Sequence, residues 1–297
     1  MSSNSIYFSK ILLKFLRSPL VFINRVFFIF GKMAFHPILF FRVILFIFKE
    51  SGFTANFIYP VIKLFGRDRY FLGAALSEKI DLFIGHFNLV RKISKEYSLE
   101  FEKLNIWRHI MPDNSVLNIE INKSPEEHSH EGELDLLLYF NDENIVTISF
   151  VFDINLDRGK SAIFVTRMQG AKGKYGNIRL VNKYFHDMNS TYLLVAALEG
   201  ICVSLEIQKI YVVSDVLQLS NGTNTGNFIS TYNKFLTGAK GYLNHYGFYE
   251  LEIPLQINKL EREKTSHKTR HKKHILIRKS ICTSVIDVFK NNYIINN

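Results

Sequence analysis

The sequence of 297 residues has only two cysteines, Cys202 and Cys282, and a single tryptophan. Two cysteines are too few for a disulfide-stapled scaffold or a four-cysteine metal site. Gly-X-Y and heptad repeats are also missing, which excludes collagen and long coiled coils. Because 47% of the residues are hydrophobic and 22% are charged, the composition is that of a folded protein, with room for one large domain or a medium domain with an appendage.

Acidic residues are absent from the first 49 positions, which contain seven basic residues. The formal net charge is +10, and a second basic segment, 259–279, has nine basic residues against two acidic ones. The rest of the chain is therefore mildly acidic. A protein with two basic ends suits an anionic membrane surface if both ends lie on one side of the molecule.

The sequence also lacks an apolar run long enough to span a membrane, roughly 18 nearly charge-free residues. Residues 1–65 are rich in Phe, but Arg17, Arg25, Lys32 and Arg42 interrupt them. No small-residue cleavage site follows the apolar part, so a cleavable signal peptide is not expected. These features predict a cytoplasmic protein, with peripheral contact to the inner membrane left open.

Residues 1–65 are predicted to form a basic, amphipathic helical region, broken near Pro19, Gly31 and Pro37. Helices with Lys or Arg on one face and Phe, Leu or Ile on the other either lie in a membrane interface or pack on the protein's own core. Both alternatives stay open. The residues for membrane or anion binding are Lys10, Lys14, Arg17 and Arg25, with Lys268, Arg270, Lys272 and Lys273 in the C-terminal segment.

That C-terminal segment has the highest charge density in the chain. It has no interleaved aromatic residues, and no helix-turn-helix or zinc-finger pattern accompanies it, which disfavours nucleic acid as the partner. Anionic lipid, an acidic partner or plain solvation remain as explanations.

Residues 66–297 are predicted to form an α+β domain. Residues 68–105 have helical spacing, and from Glu131 the apolar period changes to two. Three strands, from Glu131, at 145–152 and at 162–168, are expected in an antiparallel meander. Helices at about 178–186 and 192–205, a buried strand at 209–214, a helix at 228–235 and a last strand at 249–255 follow.

A loop rich in Gly and Lys joins the meander to the next helix. Its backbone N–H groups, its lysines and the helix N-terminus could together bind a phosphate. The loop matches neither the Walker nor the GxGxxG pattern, and a solvated connection is the simpler interpretation. The candidate residues for a cofactor are Gln169, Gly170, Lys172, Gly173, Lys174 and Gly176.

Glu131 and Glu133 are two residues apart, so both carboxylates are expected on one face of a strand. Such a pair can serve as acid or base, although a solvated sheet face is the commoner explanation. His128 and His130 lie just before them without any recognised ligand spacing, and no metal site is predicted.

The order of elements resembles that of the GCN5-related N-acetyltransferases, with a meander, a glycine-containing loop, a helix and then a parallel strand. Residues 193–214 resemble the helix-to-strand passage of that superfamily, and residues 235–248 resemble its last segment. The resemblance implies coenzyme A or acyl-coenzyme A at the glycine loop and Tyr246 as general acid, beside Glu131 and Glu133 as candidate catalytic residues. Since fold does not fix function, an acyl-coenzyme A-dependent acyltransferase is the second hypothesis.

A series of ordered landmarks between about residues 36 and 276 resembles the bacterial VirK/YbjX family. They include Leu76-Ser77-Glu78, Glu131-Gly132-Glu133-Leu134, Met168-Gln169-Gly170, Tyr232-Asn233-Lys234-Phe235 and Ile253-Pro254-Leu255. The chain departs from the family pattern after His186, where Asp187 follows, and at Asp215, Asn233 and Leu236. An activity that needs the family's usual residues there is therefore in doubt.

This resemblance implies a Gram-negative protein associated with virulence, surface-protein placement and tolerance of antimicrobial peptides, without implying a reaction. The first hypothesis is therefore an accessory factor in envelope homeostasis. It would act by binding an anionic membrane surface or an envelope component at the inner membrane face.

Overall fold

The computed structural model describes residues 27, 28, 30–51, 64, 65, 69–125, 131–157, 160–219, 236, 239, 241–255 and 265–293. These residues belong to two compact units, one drawn from residues 1–69 and 73–84 and the other from residues 70–72 and 85–297.

The first unit contains helix α1, Pro37–Ser51, which residues 30–35 precede as a helical stretch. One face of α1 is buried through Val43 and Ile47. Beside them, the ring of Phe40 packs edge-on against Phe65 at 6.0 Å between centroids. Helix α2, Leu76–Tyr97, belongs to this unit up to residue 84 and to the second unit beyond it.

The second unit is built on a mixed sheet of eight strands in the order β1-β2-β3-β4-β5-β6-β8-β7. Strands β1 to β5 form a continuous antiparallel meander, β6 runs parallel to β5, and β8 is antiparallel to β6. The strand bounds are β1 Leu104–Ile110, β2 Val116–Lys123, β3 Leu134–Phe140, β4 Glu143–Asp157, β5 Lys160–Gly170, β6 Lys209–Val213, β7 Tyr242–Leu243 and β8 Phe248–Glu252.

Three further helices belong to this unit: α3 Tyr175–Tyr184, α4 Ser190–Ser204 and α5 Thr265–Asn291. Helix α4 is almost entirely apolar and is buried through most of its length, in the main core of the unit. Helix α5 joins that core through Ile281, Val285 and Phe289, which are four residues apart and therefore share one helix face. The glycine at position 200 lets α4 and α5 approach closely at this point.

The predicted α+β class, the meander and the parallel strand after the crossover are confirmed. The predicted helix over 68–105 is too long, since α2 ends at Tyr97 and β1 begins at Leu104. Strands β1 and β2 and helix α5 were not predicted, and β3 begins at Leu134, after both glutamates. The helix predicted at 228–235 lies outside the described residues.

Candidate functional site

The loop after β5 directs its Lys174 toward β4. The ammonium nitrogen of Lys174 lies 2.8 Å from a carboxylate oxygen of Glu143, and Asn177 donates a hydrogen bond to the same carboxylate at 2.9 Å. The hydrogen bond from Lys174 lowers the pKa of the Glu143 carboxyl below its usual range. The positive charge of Lys174 is the next cause. Because β4 and β6 flank opposite sides of β5, Lys174 points away from the parallel strand pair.

The backbone of this loop is partly engaged within the protein. The N–H of Ala171 donates to the carbonyl of Ile145 at 2.8 Å, and the N–H of Lys174 donates to Ala171 at 3.2 Å. Lys172 and Gly176 are exposed, and Gly173 has a φ of +80°, which favours glycine. The N–H groups at the start of α3 have no backbone acceptor among the described residues, as is usual for the first turn of a helix.

Parallel pairing of β5 with β6 extends only from Ala162 to Val165 on β5 and from Lys209 to Val212 on β6. Beyond that point β5 continues to Gly170 without β6 as a parallel partner. Strand β6 ends at Val213, one residue past this pairing, so the last residues of β5 extend beyond the end of β6. An opening was expected between Met168 and Ile210, but Ile210 pairs with Ile163, and Met168 lies beyond the last residue of β5 that pairs with β6.

Glu131 and Glu133 are buried, with 5% and 7% of their surface exposed, so the expectation of a solvated sheet face is wrong. Arg167 forms an ion pair with Glu131 at 2.7 Å, and the hydroxyl of Tyr70 donates to Glu133 at 2.8 Å. Arg167 also donates from Nε to the side-chain oxygen of Gln169 at 2.8 Å. The structure therefore joins two of the candidate residues, Glu131 and Gln169, through one guanidinium that the sequence did not identify.

Tyr246 is exposed in the turn between β7 and β8. Its N–H donates to the side chain of Asn244 at 3.0 Å, and its ring lies 3.8 Å from that of His245. These contacts stay within the turn and connect Tyr246 neither to the glycine loop nor to the two glutamates.

The basic candidates on α5 face solvent in its first turns. Arg270, Lys272 and Lys273 are exposed, and Arg270 lies 3.4 Å from Asp187 in a surface ion pair. The backbone of Lys268 lies in α5. Lys10, Lys14, Arg17 and Arg25 lie outside the described residues.

The structure adds an apolar face on α1. Ile38, Phe41, Leu45 and Phe48 are spaced by three or four residues, so they form one stripe, and all four are exposed, with Ile38 at 82%. Phe35, just before the helix, is 85% exposed. The sequence indicated an amphipathic helix here, but it could not show which side of the helix packs on the protein.

A second feature that sequence reasoning missed is a buried ion pair between α4 and α5. Arg278 donates to both carboxylate oxygens of Glu199, from Nε at 2.7 Å and from Nη2 at 2.6 Å. Nη2 also donates to the carbonyl of Leu255 at 3.0 Å, while the N–H of Leu255 donates to Glu199 at 3.0 Å. The available signal was Glu199 itself, the one charged residue of the apolar helix α4.

Among the residues described, no cluster of three or more His, Cys, Asp or Glu side chains has the geometry for a metal ion. In the same part of the chain, no helix has the length and apolar character needed to cross a bilayer.

The fold defines an α+β protein with a mixed eight-stranded sheet. The residues described above do not by themselves define a reaction. The chain belongs to the family described as a protein of unknown function, DUF535, whose family model matches residues 65–274. DUF535 is another name for the VirK/YbjX family, so the resemblance is confirmed at the level of the family. None of the curated proteins matches.

Among solved structures, a cAMP-binding acyltransferase from Mycobacterium smegmatis is similar with 10% identity and a TM-score of 0.32. The match covers 78% of this chain, and the chain spans 65% of the length of that protein. A similarity this low assigns neither a ligand nor a reaction to the chain.

Proposed function

We propose that the protein is a VirK-like accessory factor in Gram-negative envelope homeostasis and virulence, which acts by binding an anionic membrane surface at the inner membrane face. The exposed apolar stripe of α1 carries this proposal. Links to surface-protein placement and to antimicrobial-peptide tolerance rest on the family resemblance alone.

The α1 stripe has the properties of a membrane-binding helix face. Large apolar side chains exposed in one contiguous patch indicate an interaction surface more often than a plain solvated one. The opposite side of α1 already packs within its own unit through Val43 and Ile47, so the exposed side, with Ile38, Phe41 and Leu45, can meet another apolar phase. A stripe four side chains long suits insertion to the level of the acyl-chain boundary.

The charges around α1 favour anionic lipid. The sequence has no acid before Glu50, and the described residues include Lys32, Arg42 and Lys49 on or beside the helix. Arg42 forms an ion pair with Asp81 at 2.6 Å, and the ammonium of Lys32 lies 4.5 Å from the ring centroid of Phe28. The exposed Lys49 is therefore the basic residue best placed for lipid phosphates. Each basic side chain near an anionic surface contributes about 1 kcal/mol, and salt screens this contribution.

A vesicle-flotation experiment tests the proposal. The full chain is expected to float with vesicles that contain phosphatidylglycerol and to float less with neutral phosphatidylcholine vesicles. Replacing three stripe residues, Ile38→Ser, Phe41→Ser and Leu45→Ser, should weaken binding by about tenfold or more, because their apolar surface no longer leaves water.

A control variant replaces three exposed apolar side chains by serine elsewhere. Leu180→Ser, Val216→Ser and Leu276→Ser remove exposed apolar side chains from the second unit and should leave flotation unchanged. If the stripe variant floats as well as the parent protein, or if the parent does not bind anionic vesicles, the proposed membrane function is wrong.

An acyl-coenzyme A-dependent acyltransferase is the second candidate function. The observation in its favour is the glycine loop, which follows the part of β5 that extends beyond β6 and leads into the N-terminal N–H groups of α3. Pyrophosphate oxygens would accept hydrogen bonds from the N–H groups at the start of α3, and Lys172 would add charge. Lys174 contributes less, because Glu143 already holds its ammonium group.

Isothermal titration with coenzyme A and with acetyl-coenzyme A tests this candidate. If the loop binds the pyrophosphate, Lys172→Ala and Gly173→Val should each weaken binding by about tenfold, the first through lost charge and the second through backbone strain. Lys183→Ala removes an exposed lysine from the far end of α3 and should not change the affinity. Absence of heat for both compounds would eliminate the acyltransferase function.

A further inference from the structure

A cavity of about 300 Å³ lies between the end of β8 and helices α4 and α5, entirely within the second unit. The residues that define its chemistry are Glu199, Leu255, Ile275, Arg278, Lys279 and Cys282. This volume is at the lower end of the range for small-molecule sites, and the mixed polar and apolar lining is also typical of them.

The polar wall of the cavity offers positive charge in a fixed position. Glu199 and the Leu255 carbonyl engage Nε and Nη2 of Arg278, while Nη1 has no acceptor among the described residues. The Arg278 side chain is only 19% exposed, so these contacts hold its guanidinium in place. Lys279 is exposed at the rim and adds a second, mobile cation.

The negative charge of Glu199 on this wall is balanced by the positive charge of Arg278. Both of its carboxylate oxygens already accept hydrogen bonds, from Arg278 and from the N–H of Leu255. Among the described residues that line the cavity, Glu199, Arg278 and Lys279 together carry one net positive charge. Burial raises the pKa of the Cys282 thiol, and the charge of Glu199 raises it further, so Cys282 stays neutral near pH 7.

Apolar side chains form another part of the lining. Leu255 is buried, and Ile275 and Pro254 line the same space. An alkyl chain placed against these side chains would leave water, and each methylene so buried contributes about 0.8 kcal/mol. A ligand that combines such a chain with an anionic head therefore matches both parts of the lining.

We infer that this cavity binds an amphipathic anion, an alkyl chain with a carboxylate or phosphate head, as in fatty acids and phosphate monoesters of lipids. The head binds Nη1 of Arg278 and the ammonium of Lys279, and the chain lies against Leu255 and Ile275. The site is independent of the α1 stripe and does not require a membrane.

Protection of Cys282 from alkylation measures how much of the cavity is occupied by ligand, because Cys282 lines it. Cys202 is fully buried, so N-ethylmaleimide added to the folded protein should label Cys282 first, and Cys282→Ala provides the blank. Octanoate and octyl phosphate should each slow the labelling by about threefold or more at saturation, whereas octyltrimethylammonium and inorganic phosphate should not. The relative affinity of the two anions distinguishes a fatty-acid site from a phosphate-monoester site.

Charge reversal at the rim identifies the head-group contact. Lys279→Glu should weaken binding of octanoate and octyl phosphate by about tenfold, measured by calorimetry without vesicles. Lys290→Glu makes the same change on an exposed residue nearer the end of α5 and should have no effect. Equal protection by the cationic compound, no protection by either anion, or equal affinities for the two variants would overturn the inference. The vesicle experiment on α1 is unaffected by any of these outcomes.

Discussion

Replacing Arg278 by Ala is expected to lower the free energy of unfolding by about 3 to 5 kcal/mol, because Glu199 would remain buried without its cationic partner. The Glu199 side chain is 7% exposed, and its two oxygens accept three hydrogen bonds, of which Arg278 donates two. The N–H of Leu255 alone does not compensate a buried carboxylate. Urea unfolding followed by circular dichroism measures the loss.

Arg270→Ala is the matched control on the same helix. Arg270 pairs with Asp187 at 3.4 Å, and both side chains are about half exposed or more, at 51% and 64%. A surface pair of this kind contributes about 0 to 1 kcal/mol, so the control should unfold nearly as the parent does. Equal losses for the two variants would show that Arg278 stabilises the protein no more than a surface arginine.

The difference in the expected loss of stability between Arg278→Ala and Arg270→Ala comes from burial of the ion pair rather than from charge alone. The Glu199–Arg278 pair and the two backbone bonds to Leu255 connect α4, α5 and the chain after β8. A double variant, Glu199→Leu with Arg278→Met, removes both charges together and is expected to recover most of the stability that Arg278→Ala loses. Such a recovery would assign the large effect to the unpaired carboxylate rather than to the lost contacts.

The meander was predictable from the sequence wherever an apolar period of two survives in a long run. Strands β3 and β4 have such runs, whereas β5 has a continuous apolar run, 162–165, after a turn signal. All three positions were predicted to within a few residues. In β2, Leu117, Ile119 and Ile121 also alternate with polar residues, so the same signal was present over a shorter stretch. In β1 a bulge between Asn105 and Trp107 shifts the alternation, which removes the period that identifies a strand.

The candidate site was less predictable because its contacts join distant parts of the chain. The spacing of Glu131 and Glu133 was visible, but their burial depends on Tyr70, 63 residues earlier than Glu133, and on Arg167. Gly132 between them is packed so closely that a Cβ would lie 2.9 Å from the Phe150 nitrogen. No local pattern contains that information.

Helix α4 was predicted at about 192–205, yet its contact with α5 depends on one residue without a side chain. A Cβ at Gly200 would lie 2.8 Å from Cβ of Val285 and 2.9 Å from the carbonyl oxygen of Cys282. Real Cβ atoms almost never approach other atoms so closely. The backbone of α5 is one of the two contacts, so rotation of a side chain cannot relieve the overlap.

Gly200→Ala is therefore expected to destabilise the protein by about 1 to 3 kcal/mol, because the two packed helices must separate. Helix propensity alone predicts the opposite sign, since Ala is favoured over Gly by about 1 kcal/mol within a helix. Gly176→Ala in α3 separates the two effects, because a Cβ there has no atom within 4 Å and should leave stability equal or slightly higher. Denaturant unfolding of both variants measures the change in the free energy of unfolding.

A gain in stability from Gly200→Ala would mean that α4 and α5 do not pack this closely. The ion pair between Glu199 and Arg278 would then lose its structural basis as well.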